Sequence, residues 1–261
     1  YTSLIKDSSL ELKNCANCKN IMECKNSVVG HVYYPEAQEE NIVFSYVPCK
    51  YKKKLDKDTE YQNNISLFDM PKAILEASMK NIYTDDKNRL DAIKWLTTFI
   101  KKYENNENCK GLYLTGNFGC GKTYLLAAMF NELAKENVRS VITYWPEYLR
   151  SLKSSYSSSS SYEFKDKYNE VKYAKLLLID DLGAEGVTSW SRDEILGTIL
   201  QYRMQEHLPT FITSNLNLKE LEEHLSVSTT NKSERVKAVR IIERIKQLTI
   251  DVEMIGQNNR K

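Results

Sequence analysis

The sequence predicts an α/β chain: a parallel sheet with helices on both faces, preceded by a small cysteine-bearing module. Three observations carry this. After residue 110, apolar runs of strand length alternate with stretches of helical periodicity, the pattern of a parallel sheet covered on both sides. One of those strands runs straight into a glycine-rich turn, Gly116 to Thr123. Four of the six cysteines (Cys15, Cys18, Cys24 and Cys49) fall in the first 49 residues.

Composition sets the bounds. With 261 residues, 41% of them apolar, and only 9 Gly and 5 Pro, the chain can bury a core and is neither collagen-like nor wholly disordered. Its 37 Lys and Arg against 35 Asp and Glu leave a net charge of +2, which excludes an overall basic coat for nucleic acid but not a local basic stripe. No apolar run approaches the roughly 18 residues of a membrane helix, so no membrane partner and a cytoplasmic location are expected. The chain starts at Tyr1 rather than Met, so further residues upstream are expected.

Residues 1–55 form the cysteine segment, ending in two β-like runs, Val32 to Tyr34 and Ile42 to Val47, and the basic run Lys50 to Lys54. A chain of this size is not a disulfide scaffold, and no apolar strand precedes Cys15 and Cys18 as a redox Cys-x-x-Cys would require. Zinc fits better: Cys15 and Cys18 form a two-thiolate knuckle, and Cys24, His31 and Cys49 offer three candidates for the two remaining tetrahedral positions. Residues 56–87 read as a linker, because Asp56 to Asn64 is polar.

The third region, 88–261, holds the α/β domain. Leu90, Ile93, Leu96 and Ile100 recur at helical spacing from Asn88 to Tyr103. A strand, Leu112 to Thr115, precedes the glycine turn, and a helix runs from Lys122 to about Glu136. A strand at Ser140 to Tyr144 is followed by a short helix opened by Pro146. Ser154 to Ser161 is serine throughout except Tyr156 and is expected to be a mobile loop. A helix from Glu163 to Tyr173 leads to the strand Leu176 to Ile179, a helix from Arg192 to Glu206 and the strand Thr210 to Thr213. The last helix, Glu234 to Leu248, precedes a final strand, Thr249 to Met254.

The glycine turn carries the chemistry. Gly116, Asn117, Phe118, Gly119, Cys120, Gly121, Lys122 and Thr123 fit G-x-x-x-x-G-K-[ST], with a strand before and a helix after. Glycines let several backbone N–H groups turn inward as an anion nest, and the helix N-terminus adds positive potential. Lys122 can then reach the β- and γ-phosphates, Thr123 can ligate Mg²⁺, and Tyr124 follows within the ATP-binding stretch. The run Leu176 to Asp181 delivers two carboxylates at a strand end: Asp180 for Mg²⁺, Asp181 to orient or deprotonate the attacking water. Asn215, just past the next strand, suits the γ-phosphate or the water, although taken alone a helix N-cap explains it better. Arg244 reads as an arginine finger for a neighbouring subunit's ATP, or as one half of a surface ion pair with Glu243.

These residues resemble a known family. The Gly116–Thr123 loop, the LLLIDD strand, the ITSN tetrad at Ile212 to Asn215 and the RIIERI helix follow the order of AAA+ ATPases. Their compact spacing, with no helical lid after the last strand, resembles bacterial replicative helicase loaders of the DnaC/DnaI type, most closely the DnaI branch. The stretch from Ile179 to Pro209 carries that likeness most specifically. The resemblance implies an AAA+ domain that binds ATP with Mg²⁺, a zinc module that docks on the replicative helicase hexamer, contacts with single-stranded DNA and other primosomal proteins, and self-association through the ATP interface. It further implies Asn215 as the residue that senses the γ-phosphate, Arg244 as the arginine finger, Arg260 as a second arginine, and Cys15, Cys18, His31 and Cys49 as zinc ligands with Cys24 as the alternate. Loaders of this kind place DNA contacts near Val187 to Arg192, so Ser189, Trp190 and Arg192 are candidates for stacking and phosphate contact. Equally, Trp190 could pack against the core and Arg192 cap a helix. Rival readings are a transposition helper ATPase, a small-molecule kinase, for which the chain lacks an arginine-bearing lid, and an ATP-binding switch with negligible hydrolysis.

Overall fold

The computed structural model describes residues 1–38, 41–82, 87–157, 161–226, 232–256 and 258. The chain divides into two compact units, residues 1–60 and 61–261.

The first unit opens with helix α1 (Thr2–Ala16), which carries Cys15 in its last turn. Strands β1 (His31–Gln38) and β2 (Asn41–Pro48) form an antiparallel hairpin with His31 opposite Pro48, and helix α2 (Lys50–Asp58) follows. The basic run therefore lies on a helix. Glu11 ties α1 to the rest: one carboxylate oxygen accepts from the Ser27 N–H at 3.2 Å, the other from the Tyr33 N–H at 2.6 Å. Tyr33 in turn packs on Phe44 and Tyr46, ring centroids 5.4 and 5.0 Å apart. Among the described residues of this unit, no apolar side chain is buried; Ser8, Glu11 and Asn26 are.

The second unit is built on a six-stranded, all-parallel sheet. Its strands are β3 (Ile65–Phe68), β4 (Gly111–Thr115), β5 (Ser140–Tyr144), β6 (Leu176–Asp180), β7 (Thr210–Ser214) and β8 (Thr249–Glu253), in the order β3-β5-β6-β7-β4-β8. The helices are α3 (Lys87–Glu104), α4 (Lys122–Lys135), α5 (Trp145–Ser157), α6 (Ser161–Tyr173), α7 (Gly197–Gln205), α8 (Leu218–Leu225) and α9 (Lys232–Leu248). Alternation along the strands divides the core between the two faces. Leu112, Leu114, Leu176, Leu178 and Phe211 join the cluster with α3 and α4, whereas Tyr113, Leu177, Ile179 and Ile212 join the cluster with α5 to α9.

Three expectations need correction. Residues 56–87 are not simply a linker: Ile65–Phe68 pairs with β5 as an edge strand, and Asn131 on α4 holds this stretch by donating to the Ile74 and Ala77 carbonyls. Four residues are too few to show a period, and the polar residues before them dominate the composition. The helix expected from Arg192 to Glu206 begins as a π-helical segment, Trp190–Leu196, opened by reciprocal bonds between Thr188 and Ser191. The expected loop Ser154 to Ser161 is helical as far as Ser157; residues 158–160 lie outside the described residues.

Candidate nucleotide site

Topology explains why residues far apart in sequence meet. In the sheet, β7 lies between β6 and β4, so the C-terminal ends of all three strands emerge side by side. That edge is where parallel α/β sheets hold ligands. The loop after β4, the acidic end of β6 and the residues after β7 converge there.

The loop has the backbone that phosphate binding demands. Gly116, Gly119 and Gly121 have φ of 149°, 72° and 91°, a region closed to most side chains. At Gly116 a Cβ would stand 1.8 Å from the Met254 carbonyl oxygen, so the strand after it can pass only glycine. Met254 closes the same place from below, donating its N–H to the Thr115 carbonyl at 2.7 Å. Cys120 is buried with its thiol toward the Met254 carbonyl, whereas Phe118 is exposed at the loop tip. The Tyr124 hydroxyl accepts from the Ser78 N–H at 3.3 Å.

Lys122 Nζ donates to the carbonyls of Gly116 and Asn117 at 2.8 and 3.0 Å and to Asn215 Oδ1 at 2.8 Å. The Asn215 amide also donates to Asp181 Oδ1 at 3.1 Å. Asn215 is thus not a helix cap; Asn217 caps α8, with its own capping box to Glu220. Thr123 Oγ1 donates to Asp180 Oδ1 at 2.6 Å, placing the two expected Mg²⁺ ligands in contact. Burial pushes the Asp180 carboxyl up from its ordinary range, partly offset by the hydroxyl bonds it receives from Thr123 and Thr213. Asp181 sits at φ 61°, a left-handed conformation that Asp tolerates better than most residues.

Thr213 is the member that sequence reading missed. Its hydroxyl donates to Asp180 at 2.7 Å and accepts from the Asp181 N–H at 2.9 Å, so one side chain orients the Asp180 carboxylate and holds the backbone of Asp181. A hydroxyl in a fully buried strand, immediately before Ser214 and Asn215, was the available signal. Ser214 pins the neighbouring turn by donating to the Leu182 carbonyl at 2.6 Å.

Comparison with known proteins fits this geometry. The family model for AFG1-like ATPases matches residues 47–250. The replicative helicase loader DnaI of Bacillus subtilis is 39% identical over 250 residues, covering 95% of this chain and 79% of that protein. The chain belongs to the DnaI-type helicase loaders. A crystal structure of DnaI superposes with a TM-score of 0.66 at 43% identity, over 77% of this chain and all of that one. The crystal structure of the DnaC helicase loader shares the fold, with a TM-score of 0.54 at 22% identity over 70% of this chain and 99% of that one.

The remaining candidates of the loader lie apart from this network. Arg244, on α9, donates to the Gly197 carbonyl at 3.1 Å, and burial followed by the neighbouring Arg240 lowers its pKa. Arg260 lies outside the described residues. Ser189 is exposed and Trp190 is half-buried against the α5–α9 cluster. Arg192 requires correction as a DNA contact: it is 1% exposed, forks onto Asp193 at 2.6 and 2.9 Å, and pairs with Glu234 at 2.8 Å. A guanidinium buried against two carboxylates inside the fold is not presented to a phosphate at the surface.

In the first unit, Cys15, Cys18, Cys24, His31 and Cys49 all line one cavity of about 280 Å³. Cys15 accepts from the Asn26 amide at 3.2 Å and Cys24 from the Gly30 N–H at 3.3 Å, the bonds that stabilise thiolate sulfur. His31 Nδ1 faces the Val29 carbonyl at 3.1 Å, which leaves Nε2 for another partner. Among the described residues, no three such side chains are drawn close enough together to form a completed metal site. The donor chemistry fits zinc; the grouping is looser than a tetrahedron.

Proposed function

We propose that the loader binds ATP with Mg²⁺, docks on the replicative DNA helicase hexamer and helps place that ring on single-stranded DNA when replication starts or restarts. The observation that carries this reading is the continuous set of contacts from Lys122 through Asn215 to Asp181, beside the Thr123–Asp180 pair. In it the loop would hold the phosphates and Thr123 with Asp180 would hold Mg²⁺, which supplies charge neutralisation at the phosphates. Asp181, fixed by Asn215 and by Thr213, would orient the attacking water. Arg244 of one subunit would complete the site of another, so assembly on a ring and nucleotide state would be coupled through differential contacts. Turnover is slow in this scheme, because the product is an assembly event.

The cysteine module would carry zinc on Cys15, Cys18, His31 and Cys49, with Cys24 as the alternate, and present the surface that meets the helicase. Among the described residues no helix is long and apolar enough to cross a membrane, and we assign the loader to the cytoplasm with the replication machinery, including other primosomal proteins. The test is capture of the cognate helicase hexamer by the intact, metal-replete protein with and without MgATP. Binding that depends on nucleotide state is expected; no binding in either state would overturn the assignment. Parallel measurement of nucleotide binding and turnover for Asp181→Asn separates an ATPase from a switch: binding is kept and turnover lost if hydrolysis is part of the cycle.

A further inference from the structure

Among the described residues of the second unit three arginines are buried: Arg89, Arg192 and Arg203, at 4%, 1% and 0% exposure. A guanidinium keeps its charge at any depth and brings five N–H donors with it, so burial requires partners. Arg203 has them: it donates to Thr210 Oγ1 and to the carbonyls of Lys172, Ala174 and Pro209, between 2.7 and 3.3 Å. Arg192 has its carboxylates. Arg89 is the exception. Its Nε is buried with no hydrogen-bond partner, and among the described residues no carboxylate pairs with it.

What Arg89 has is position. It lies in the first turn of α3, and its Nη2 stands 3.1 Å from the point where a Cβ on Gly121 would be. Gly121 is the N-cap of α4, at the positive end of the helix that receives the phosphates. The absent side chain at Gly121 is what lets the guanidinium approach the loop. Arg89 thus adds its positive charge beside the helix terminus that follows the loop. That arrangement is costly until an anion enters it.

We propose that Arg89 is a nucleotide-binding residue, whose guanidinium takes a phosphate oxygen of the nucleoside triphosphate on the α3 side of the loop. The assignment rests on the nucleotide reading of the Gly116–Thr123 loop and extends it to an element outside the motif. It explains why, among the described residues, this buried arginine has an Nε with no hydrogen-bond partner: its partner arrives with the substrate. Arg89→Lys keeps the charge but loses the planar fork, so it preserves only part of the contact.

The experiment is a titration of the intact wild-type, Arg89→Ala and Arg89→Lys proteins with MgATP and with magnesium tripolyphosphate, together with thermal melting in the absence and presence of saturating MgATP. Arg89→Ala is expected to weaken both ligands by about tenfold or more, with Arg89→Lys in between. Its melting temperature without nucleotide stays the same or rises, because an unpaired buried charge is removed, and the upward shift on adding MgATP shrinks. A lower melting temperature without nucleotide, at unchanged affinity, would make Arg89 a structural residue and overturn the proposal. A loss confined to MgATP, with tripolyphosphate unaffected, would overturn the phosphate assignment. If the wild-type protein bound neither ligand, the nucleotide reading itself would fall and Arg89's role with it; if wild type and Arg89→Ala bound equally, only the Arg89 assignment would fall.

Discussion

Residues 1–60 and residues 61–261 hold themselves together by different means. In the second unit β4 to β7 are buried on both faces and each contributes side chains to an apolar cluster. In the first, the described residues bury no apolar side chain, and what is buried is a carboxylate, an amide and a hydroxyl. A unit of about 60 residues without an apolar core falls in the size range that needs a metal or another staple. The five sulfur and imidazole donors that line its cavity are where the zinc proposed above would act as that staple. The contrast teaches that one chain can pair a sheet held by apolar burial with a module whose buried side chains are polar, so that the two units need different sources of stability.

The strongest way to break that contrast is to remove the metal. Chelation of the metal-replete protein is expected to collapse the amide dispersion of residues 1–60 while leaving residues 61–261 unchanged; structural zinc contributes roughly 10–16 kcal/mol in comparable small sites. Retained dispersion in residues 1–60 would mean that the module stands without metal. Lys122→Ala comes next. It should weaken MgATP by about 100-fold, near 3 kcal/mol, with residues 1–60 spectrally unchanged, which shows that the ligand of one unit is not the staple of the other. A titration read by fluorescence or calorimetry checks it.

A smaller effect tests the polar inlay within the second unit. Thr213→Val strands the Asp181 N–H and strips one donor from Asp180, and should cost about 1–3 kcal/mol in urea unfolding, with Thr213→Ser recovering most of it. The smallest concerns pH. Because burial raises the Asp180 carboxyl, the folded chain keeps a proton that the unfolded chain has already released, so this group lowers stability as pH rises from about 4 through its folded value. Asp180→Asn is therefore expected to raise the melting temperature of the nucleotide-free protein at neutral pH, by an amount that shrinks toward about pH 4. An equal shift at both pH values would assign the effect to packing instead.

Much of the second unit was legible because its signals are redundant. The loop from Gly116 to Thr123 is marked by residue type, spacing and flanking elements at once, and Leu176 to Asp181 by an apolar run that can only be a buried strand. Asn215 was legible as a polar group after a strand, although taken alone a cap explained it better, a role that Asn217 fills. The rest depended on tertiary placement. Ile65 to Phe68 is a strand only because β5 lies beside it. Thr213 acquires its role from the strand order, which places β7 between β4 and β6. Arg192 read as a phosphate contact because its sequence neighbours are hydroxyls and an aromatic ring, but its partners, Asp193 and Glu234, come from the same turn and from α9. Helix α1 was missed in a stretch whose polar residues outnumber its apolar ones, where a buried Glu11 rather than an apolar stripe provides the anchor.

The central claim is that the loop around Lys122, in contact with Asn215 and beside Asp180, grips a nucleoside triphosphate. Calorimetric titration of MgATP into the intact, metal-replete protein tests it most directly. Wild type is expected to bind one nucleotide per chain, and Lys122→Ala to lose that binding. Absence of any heat of binding with well-folded wild-type protein at millimolar nucleotide, weaker than about −4 kcal/mol, would contradict it.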